Sequence, residues 1–427
     1  MGRVRPMLVV LATFLPGAVL AADQAALETQ VESLTQRVAY LERKLEQLLA
    51  ERETPDAPAP KVRNLRESSF SIGGRVKLDV LGNSASVGGI GGRNRSDVGF
   101  VPYDIPLDDT GEDNQLSANA RDSRIWINAS TPTQTSELGA FLEFDFGSFD
   151  NSGTERISNS HNPRVRHAYA TYQNFTVGQT TTTFDNAAAF PELNDSGGPV
   201  GVLTLRQPLI RYSWENNRFR WSVAAEQPES TVTAANGERL VFDDDRMPDL
   251  VARVDYASAD SELTLAMLFR NIRADDIIQD STYGAGLSVA GRRYLHGADN
   301  LRFAFAWGKG IGRYVSYNAF DDAVISFDQE LEAIPVRSAF VAYQHWWSKR
   351  WRSNLAVGHA RADLDRRNYT TGLLDERFWS AHLNLLWSPI PSATFGVEWL
   401  YGRRELLNDV SASLNRVQFS SLYKFRQ

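Results

Sequence analysis

Hydrophobic and polar residues alternate along most of the chain from residue 69 onward. In the first such stretch, Phe70, Ile72 and Val76 share one parity, whereas Arg75 and Lys77 share the other. Successive side chains of a strand point to opposite faces, so this pattern predicts a strand with one apolar and one charged face. Comparable stretches recur near 121–131, 137–147, 163–173, 174–183, 206–215, 218–226, 249–257, 261–272, 281–290, 300–309, 337–347, 350–361, 376–388, 393–401 and 416–425. The pattern predicts about sixteen antiparallel strands.

The connections between these strands alternate between short and long. Short turns near 131–136 and 173–174 interleave with long polar loops near 81–120, 148–162, 184–205, 227–248, 310–336, 362–375 and 403–413, and only the loop near 272–280 is as short as a turn. Outer-membrane barrels have short periplasmic turns and longer external loops, whereas a soluble all-β sandwich has no reason to place its long loops at one end. Trp307, Trp387 and Trp399 on the apolar parity are typical of interfacial aromatic girdles. Residues 69–427 are therefore predicted to form an all-β transmembrane barrel.

The N-terminal residues have the order of a secretory signal peptide. Arg3 and Arg5 precede an apolar stretch that ends before the small residues Ala21 and Ala22. This order predicts cleavage of residues 1–21. A retained membrane anchor is the alternative, although the apolar stretch is short for a bilayer span.

Residues 22–52 carry the seam of a short coiled coil. Apolar residues recur at alternating steps of four and three, which is the spacing of a left-handed supercoil: Leu27, Val31, Leu34, Val38, Leu41, Leu45 and Leu48. The run from Arg37 to Glu42 resembles a pattern found in trimeric coiled coils. An amphipathic helix lying on its own domain is the alternative. Residues 53–68 follow as a Pro-rich linker, which acts as a stiff spacer.

Composition excludes several classes of protein. The chain has 427 residues, a formal net charge of -7 and no cysteine. Without cysteine there can be no disulfide scaffold, thiol nucleophile or thiolate metal site. An acidic chain without a long basic block is a poor nucleic-acid binder, so no nucleic-acid partner is expected.

Several short motifs in the barrel region resemble those of the DcaP-like porins. They are Arg166-His-Ala-Tyr-Ala170, Val177-Gly-Gln-Thr180, Phe190-Pro-Glu192, Arg206-Gln-Pro208, Ile210-Arg-Tyr212, Gly308-x-Gly-Ile-Gly-Arg-Tyr314, Tyr343-Gln-His-Trp-Trp347 and Gly396-Val-Glu-x-Leu-Tyr-Gly-Arg-Arg404. The resemblance covers nearly the whole mature chain. It implies a trimeric outer-membrane channel of a Gram-negative bacterium, with the coiled coil in the periplasm and with uptake of small anions such as dicarboxylates. Outer-membrane lipid and lipopolysaccharide are the further partners expected.

The charged parity of the strands predicts a basic pore wall. If this parity faces the lumen, basic residues outnumber acidic ones there, and rings of arginine and lysine favour anions. The candidate pore residues are Arg75, Lys77, Arg124, Arg164, Arg166, Arg211, Arg218, Arg220 and Arg253. Mutual neutralisation of these groups in a transverse wall network is the alternative. On the strand 163–173, parity places His167 and Thr171 on the outer face, where they would contact a neighbouring subunit.

The third external loop, about 185–205, is predicted to fold inward and to narrow the pore. It follows the fifth strand of the barrel region and carries Asp185, Glu192 and Asp195, which would face the basic wall and set a transverse field. A loop lying over the rim is the alternative.

Signals for an enzyme are weak. The Gly308-x-Gly310-x-Gly312 run is not followed by a helix that could present its N-terminus to a phosphate. The sequence therefore predicts no catalytic residues, no metal site and no cofactor. A non-selective porin, or an outer-membrane barrel enzyme such as a lipase, is the alternative function.

Overall fold

The computed structural model describes residues 68–85, 98–107, 113–147, 155–158, 160–242, 245–275 and 277–426. The predicted signal peptide, the coiled-coil seam and nearly all of the linker lie outside these residues. No helix in the described ranges is long and apolar enough to cross a bilayer.

The described part of the chain is almost entirely β structure. Its strands are β1 (Ser69–Ala85), β2 (Asp113–Asn119), β3 (Arg124–Pro132), β4 (Glu137–Asp145), β5 (Arg164–Tyr172), β6 (Phe175–Thr181), β7 (Arg206–Asn216), β8 (Phe219–Glu226), β9 (Ser230–Thr233), β10 (Arg239–Phe242), β11 (Asp249–Ala257), β12 (Ser261–Ala274), β13 (Asp280–Tyr294), β14 (Asn300–Lys309), β15 (Ala323–Ile325), β16 (Leu331–Ala333), β17 (Pro335–Trp346), β18 (Trp351–Ala362), β19 (Asp375–Ile390), β20 (Ala393–Leu406) and β21 (Ser411–Arg426). One helical turn, α1, spans Glu155–Ser158, and short 3-10 turns lie at Pro102–Asp104, Ala187–Ala189, Gly312–Tyr314 and Arg366–Asn368.

The main sheet closes on itself as an antiparallel barrel. β1 pairs with β21 from Gly73 opposite Arg426 to Asn83 opposite Arg416, which joins the first and last strands. β2 and β3 pair with different halves of β1, so together they occupy one strand position that is interrupted at residues 120–123. The wall therefore has 16 strands, and the prediction of about sixteen strands in a closed barrel is confirmed.

Burial in the wall is the reverse of that in a soluble protein. Along β1, the apolar side chains of Val76 and Leu78 are 55% and 45% exposed, whereas Lys77 and Asp79 are only 5% and 1% exposed. An apolar outer face suits contact with lipid, and the polar face lines the interior. The alternation in the sequence thus has its physical cause in the two different environments of the wall.

External loops fill one side of the barrel interior. Phe100, Phe184, Ile311 and Tyr314, which come from three loops, pack in one buried apolar cluster with inward residues of the wall. Strands β9 and β10 of one loop pair with β15 and β16 of another in a separate four-stranded sheet. The cavity that is left is lined by residues of β1, β3–β7 and β19–β21.

The last external loop is shorter than the sequence pattern indicated. A long loop was expected near 403–413, but β20 continues to Leu406 and β21 begins at Ser411, which leaves residues 407–410. The backbone N–H of Leu406 donates to the carbonyl of Val410 at 2.8 Å and closes this turn. Polar residues at these strand ends are compatible with pairing because the strands extend beyond the apolar band.

Candidate pore and constriction

A cavity of about 470 Å³ lies between the inner wall and the segment 185–196. Its charged lining residues come from the wall strands, from their junctions and from the third external loop. The basic ones are Arg75, Lys77, Arg124, Arg164, Arg166, Arg206 and Lys424, and the acidic ones are Asp122, Asp145, Asp185, Glu192 and Asp195. Seven basic residues thus face five acidic ones.

Asp122 is the centre of the first group of ion pairs on this wall. It lies in the interruption between β2 and β3, and its side chain is 2% exposed. Arg75 forms an ion pair with it, while Lys77 Nζ lies 3.2 Å and Arg124 Nη2 3.0 Å from its carboxylate oxygens. Lys77 Nζ also lies 3.1 Å from Asp79 Oδ2, and Arg124 Nη1 lies 3.5 Å from Glu143 Oε1. Asp122 and Asp79 together therefore hold three cations in fixed positions, and the group keeps an excess of one positive charge.

Asp145 and Glu143 on β4 form the second group of ion pairs. Arg164 Nη2 lies 2.8 Å and Arg166 Nη1 2.7 Å from Asp145 Oδ2. Arg166 Nε also donates to Glu143 Oε1 at 2.6 Å. Two carboxylates here neutralise two arginines. This is the arrangement expected under the alternative interpretation, in which the charged groups of the wall neutralise one another.

A β-bulge on β5 explains how Arg166 and His167 come to share the inner face. Glu143 pairs with His167 and Phe144 with Val165, so Arg166 is the extra residue on β5. The bulge reverses the parity of the residues that follow it. His167 therefore lines the cavity, and its Nδ1 is 3.0 Å from Thr180 Oγ1. The expectation that His167 faces outward is wrong.

The expectation that Thr171 lies on the outer face is also wrong. It pairs with Gly139, which shares the parity of the inward Glu143. A side-chain carbon added at Gly139 would lie 2.5 Å from Thr171 Oγ1, so the two residues point to the same inner side. Thr171 is therefore not a contact for a neighbouring subunit.

The tip of the third external loop is hydrogen-bonded to the inner wall. Lys77 Nζ donates to the carbonyl of Asn194 at 2.7 Å, and the N–H of Asn194 donates to Glu398 Oε2 at 2.6 Å. Arg416 Nη1 lies 3.2 Å from Asp195 Oδ2. These contacts attach residues 194 and 195 to β1, β20 and β21.

Glu192 attaches the same loop to the neighbouring strands β17, β18 and β19. Arg352 Nε donates to Glu192 Oε2 at 2.6 Å, and Gln344 Nε2 donates to the same oxygen at 2.8 Å. Asn384 Nδ2 donates to the carbonyl of Glu192 at 2.9 Å. The Arg352 guanidinium lowers the pKa of Glu192, so this carboxylate stays charged at neutral pH.

Asp185 lies at the start of the loop, where the chain leaves β6. Arg253 donates a hydrogen bond to the backbone carbonyl of Asp185, and Asn186 Nδ2 donates to Thr264 Oγ1 at 2.8 Å. Burial raises the pKa of the Asp185 carboxyl to about 7, although the positive charge of Arg253 acts in the opposite direction. The charge of this residue therefore changes near neutral pH.

Five of the nine basic residues predicted from the sequence line the cavity, namely Arg75, Lys77, Arg124, Arg164 and Arg166. The other four lie elsewhere. Arg211 Nε donates to Thr183 Oγ1 at 2.8 Å, and Arg253 Nη2 pairs with Asp255 at 2.7 Å. Arg218 and Arg220 are exposed close to the turn between β7 and β8.

Arg206 lines the cavity although the pore prediction did not include it. It begins β7 directly after the third external loop, and its strand parity is that of the outward Ile210. It nevertheless lines the cavity because strand parity does not hold where the chain enters from a loop. Arg206 forms no ion pair with a carboxylate of the described residues. A basic residue at the junction of an inward loop and a strand was the available sequence signal.

Comparison with solved structures shows the porin fold. The crystal structure of the outer membrane channel DcaP of Acinetobacter baumannii matches with a TM-score of 0.70 and 22% identity, covering 85% of this chain and 99% of that chain. An anion-selective porin from Comamonas acidovorans matches with a TM-score of 0.53 and 12% identity over 84% and 100%. The trimer form of OmpT from Vibrio cholerae has a TM-score of 0.51 and 11% identity over 84% and 99%.

The family comparison extends over nearly the whole sequence. A search of the curated proteins found no match. The family model described as DcaP outer membrane protein matches residues 20–425. The chain therefore belongs to the DcaP outer membrane protein family and is a β-barrel of the bacterial outer membrane.

Proposed function

We propose that the protein is a channel for passive diffusion of small hydrophilic solutes with a preference for small anions such as dicarboxylates. Family membership and fold support the general class, which is an outer-membrane channel of the porin type. The preference for anions is the part that the charges of the cavity support. In this proposal, Asp185, Glu192 and Asp195 belong to the constriction loop.

The proposed preference for anions rests on the excess of basic over acidic residues around the cavity. Within the described residues, seven basic groups line it against five acidic ones. Asp122, Asp145 and Glu143 engage most of these cations, but Arg206 has no ion-paired carboxylate there. An arginine held in a narrow path with little competing negative charge can bind a carboxylate through two N–H groups.

A non-selective porin is the second candidate function. The ion pairs of Asp122 with Arg124 and of Asp145 with Arg164 favour it because paired arginines contribute less net field to the pore. Under this alternative the wall is a rigid polar lining that passes small solutes of either sign. The two functions differ in the effect expected from removing Arg206.

Reversal potentials of single channels in a salt gradient test the proposal. The wild-type channel is expected to prefer chloride over potassium. Arg206→Ala should lower this preference, since it removes a charge whose interaction with an anion at ~4 Å is worth about 1 kcal/mol in water and about 4 kcal/mol at an effective dielectric of 20.

Arg220→Ala is the matched control because Arg220 is an exposed wall arginine that does not line the cavity. It should leave the reversal potential close to the wild-type value. Flux of a dicarboxylate into vesicles should fall more in Arg206→Ala than flux of a neutral sugar of similar size. A cation-selective wild-type channel, or equal effects of the two substitutions, would reject the anion preference in favour of a neutral wall.

A further inference from the structure

Three arginines form one row across neighbouring strands on the outer surface of the barrel. Arg337 on β17 pairs with Arg361 on β18, and Arg361 pairs with Arg377 on β19. Arg337 also pairs with Trp307 on β14, which is 59% exposed on the outer face. The row therefore points away from the lumen, toward the surroundings of the barrel.

The row lies at the external end of these strands. β17 and β19 begin near it and β18 ends near it, while their other ends are joined by the short turns 347–350 and 391–392. Short turns mark the periplasmic end of outer-membrane barrels. The three arginines thus lie at the level of the outer leaflet, next to the aromatic side chains of Trp307 and Trp379.

Two further basic residues widen the row into a patch, which we name the external arginine patch: Lys309, Arg337, Arg361, Arg377 and Arg403. Arg403 pairs with Trp379, and Lys309 follows Trp307 on the same face of β14. Other sectors of the barrel carry apolar side chains at comparable outward positions near the external end, as at Leu116, Val165, Leu250 and Tyr283. The positive charge is therefore local to β14–β20.

Carboxylates neutralise only part of the positive charge of the external arginine patch. Arg361 Nη2 lies 2.8 Å from Glu376 and 3.5 Å from Asp363, and both Arg377 and Arg403 pair with Glu405. Lys309 and Arg337 form no ion pair with a carboxylate in the described ranges. Like charges opposite one another on adjacent strands are unfavourable unless an anion separates them.

We propose that the external arginine patch binds the phosphate groups of lipopolysaccharide in the outer leaflet. Neighbouring strands lie about 4.8 Å apart, so the row spans roughly 10 Å, a width suited to a phosphate held by two guanidinium groups. The apolar outer faces of Leu355, Val357 and Leu383 continue below the row and would contact the acyl chains. Basic groups beside a membrane-spanning surface attract phosphorylated lipid headgroups in this way.

The test compares two forms of one lipid on the purified full-length protein. Lipid A carrying both phosphates and the same lipid A after removal of its phosphates are titrated in detergent with EDTA present, and bound lipid is counted by native mass spectrometry. The wild-type protein is expected to bind the phosphorylated form more tightly. The double substitution Lys309→Gln with Arg337→Gln should weaken that binding about tenfold or more and leave binding of the dephosphorylated form unchanged.

Lys349→Gln with Arg350→Gln is the matched control, because it removes two exposed basic residues at the periplasmic turn after β17. It should retain wild-type binding. Arg337→Lys, which keeps the charge, should bind better than Arg337→Gln. Unchanged gel mobility on heating and unchanged ion selectivity would show that the barrel and its pore are intact.

Equal binding of the two lipid forms by the wild-type protein would overturn the proposal. Loss of all binding in EDTA would also overturn it, since divalent cations on Glu376 and Glu405 would then be the ligands. An equal loss of lipid binding in the periplasmic control, Lys349→Gln with Arg350→Gln, would overturn it as well. None of these outcomes depends on which solutes pass through the pore.

Discussion

Asp185 gives the proposed constriction a charge that depends on pH. Burial raises the pKa of its carboxyl to about 7, so the residue is mostly neutral at pH 6 and mostly negative at pH 8. Arg206 lines the same cavity and remains positive across this range. The net positive charge near the loop is therefore expected to be larger at the lower pH.

The pH dependence of selectivity tests this property. The ratio of anion to cation permeability, measured from reversal potentials at pH 6 and pH 8, should fall as the pH rises through about 7. Asp185→Asn should abolish most of the change. Asp260→Asn is the control. It alters a carboxylate at the periplasmic turn between β11 and β12 and should preserve the change of selectivity with pH. A wild-type ratio that is constant over this range would contradict the assignment.

Arg270 is a buried cation whose partners lie in several elements. It is completely buried on β12, with Nε 3.2 Å from Asp249 and Nη1 2.9 Å from Asp322, and it donates to the carbonyl of Glu229 at 2.6 Å. These contacts tie the loops before β11 and after β14 to the wall. The residue thus stabilises the side of the lumen that is filled by loops.

Replacing Arg270 by methionine should destabilise the barrel strongly. Two buried carboxylates would lose their nearest cation, which typically costs about 3–5 kcal/mol. Arg273→Met is the control, because Arg273 pairs with Asp275 at a partly exposed position and should contribute about 0–1 kcal/mol. The denaturant midpoint of each variant measures the difference. Similar midpoints for the two would show that the buried pairs contribute little.

At the scale of elements, Gly358 on β18 permits the close approach of the third external loop. A side-chain carbon at this position would overlap the carbonyl oxygen of Val200. The N–H of Val200 donates to Ser380 Oγ at 2.8 Å, so the loop is held at this distance from the wall. A residue with a side chain would force the loop away from β18.

Gly358→Ala is therefore expected to move the loop toward the lumen and to reduce single-channel conductance. Overpacking of this kind costs about 1–3 kcal/mol, which the denaturant midpoint would report. Gly82→Ala is a strand control with room for the added carbon, whose nearest atom would be 3.9 Å away. Wild-type conductance in Gly358→Ala would show that the loop accommodates the change without moving.

The sequence was sufficient to predict the strands but not their irregularities. Period-two alternation locates the wall because lipid and lumen act on alternate residues, as at Val76 and Lys77. The bulge at Arg166 inverts that alternation within one strand, and no local signal marks it. Strands β9 and β15 have only four and three residues, too short for a periodic pattern. Their pairing depends on contacts between distant loops.

The prediction of the pore residues was also limited to what strand parity can show. Arg75, Lys77 and Arg124 were identified because they lie on regular strands with unbroken parity. Arg218 and Arg220 share that parity, yet they lie near a turn, away from the cavity. Parity gives the face of the wall but not the height along the pore, which depends on where the loops fold in.

At the scale of the whole molecule, the outer surface differs from one side to the other. Outward tryptophans of the described wall occur from β7 onward, at Trp214, Trp221 and Trp307 among others, whereas the outward positions of β3–β5 carry none and include residues such as Ile125 and Ala170. Interfacial tryptophans face lipid headgroups. A wall sector without them is suited to contact with another protein surface, so association of the barrels is expected to rest on the wall.

Deleting residues 23–60 should therefore leave the trimer intact. The predicted seam from Leu27 to Leu48 has about three heptads, and helices of that length are marginal on their own. It is expected to assist an assembly that is held mainly by the barrels. Native mass measurement of the truncated protein, refolded and checked for heat-modifiable mobility, gives the result directly. A folded but monomeric barrel would show that the coiled coil, and not the wall, holds the subunits together.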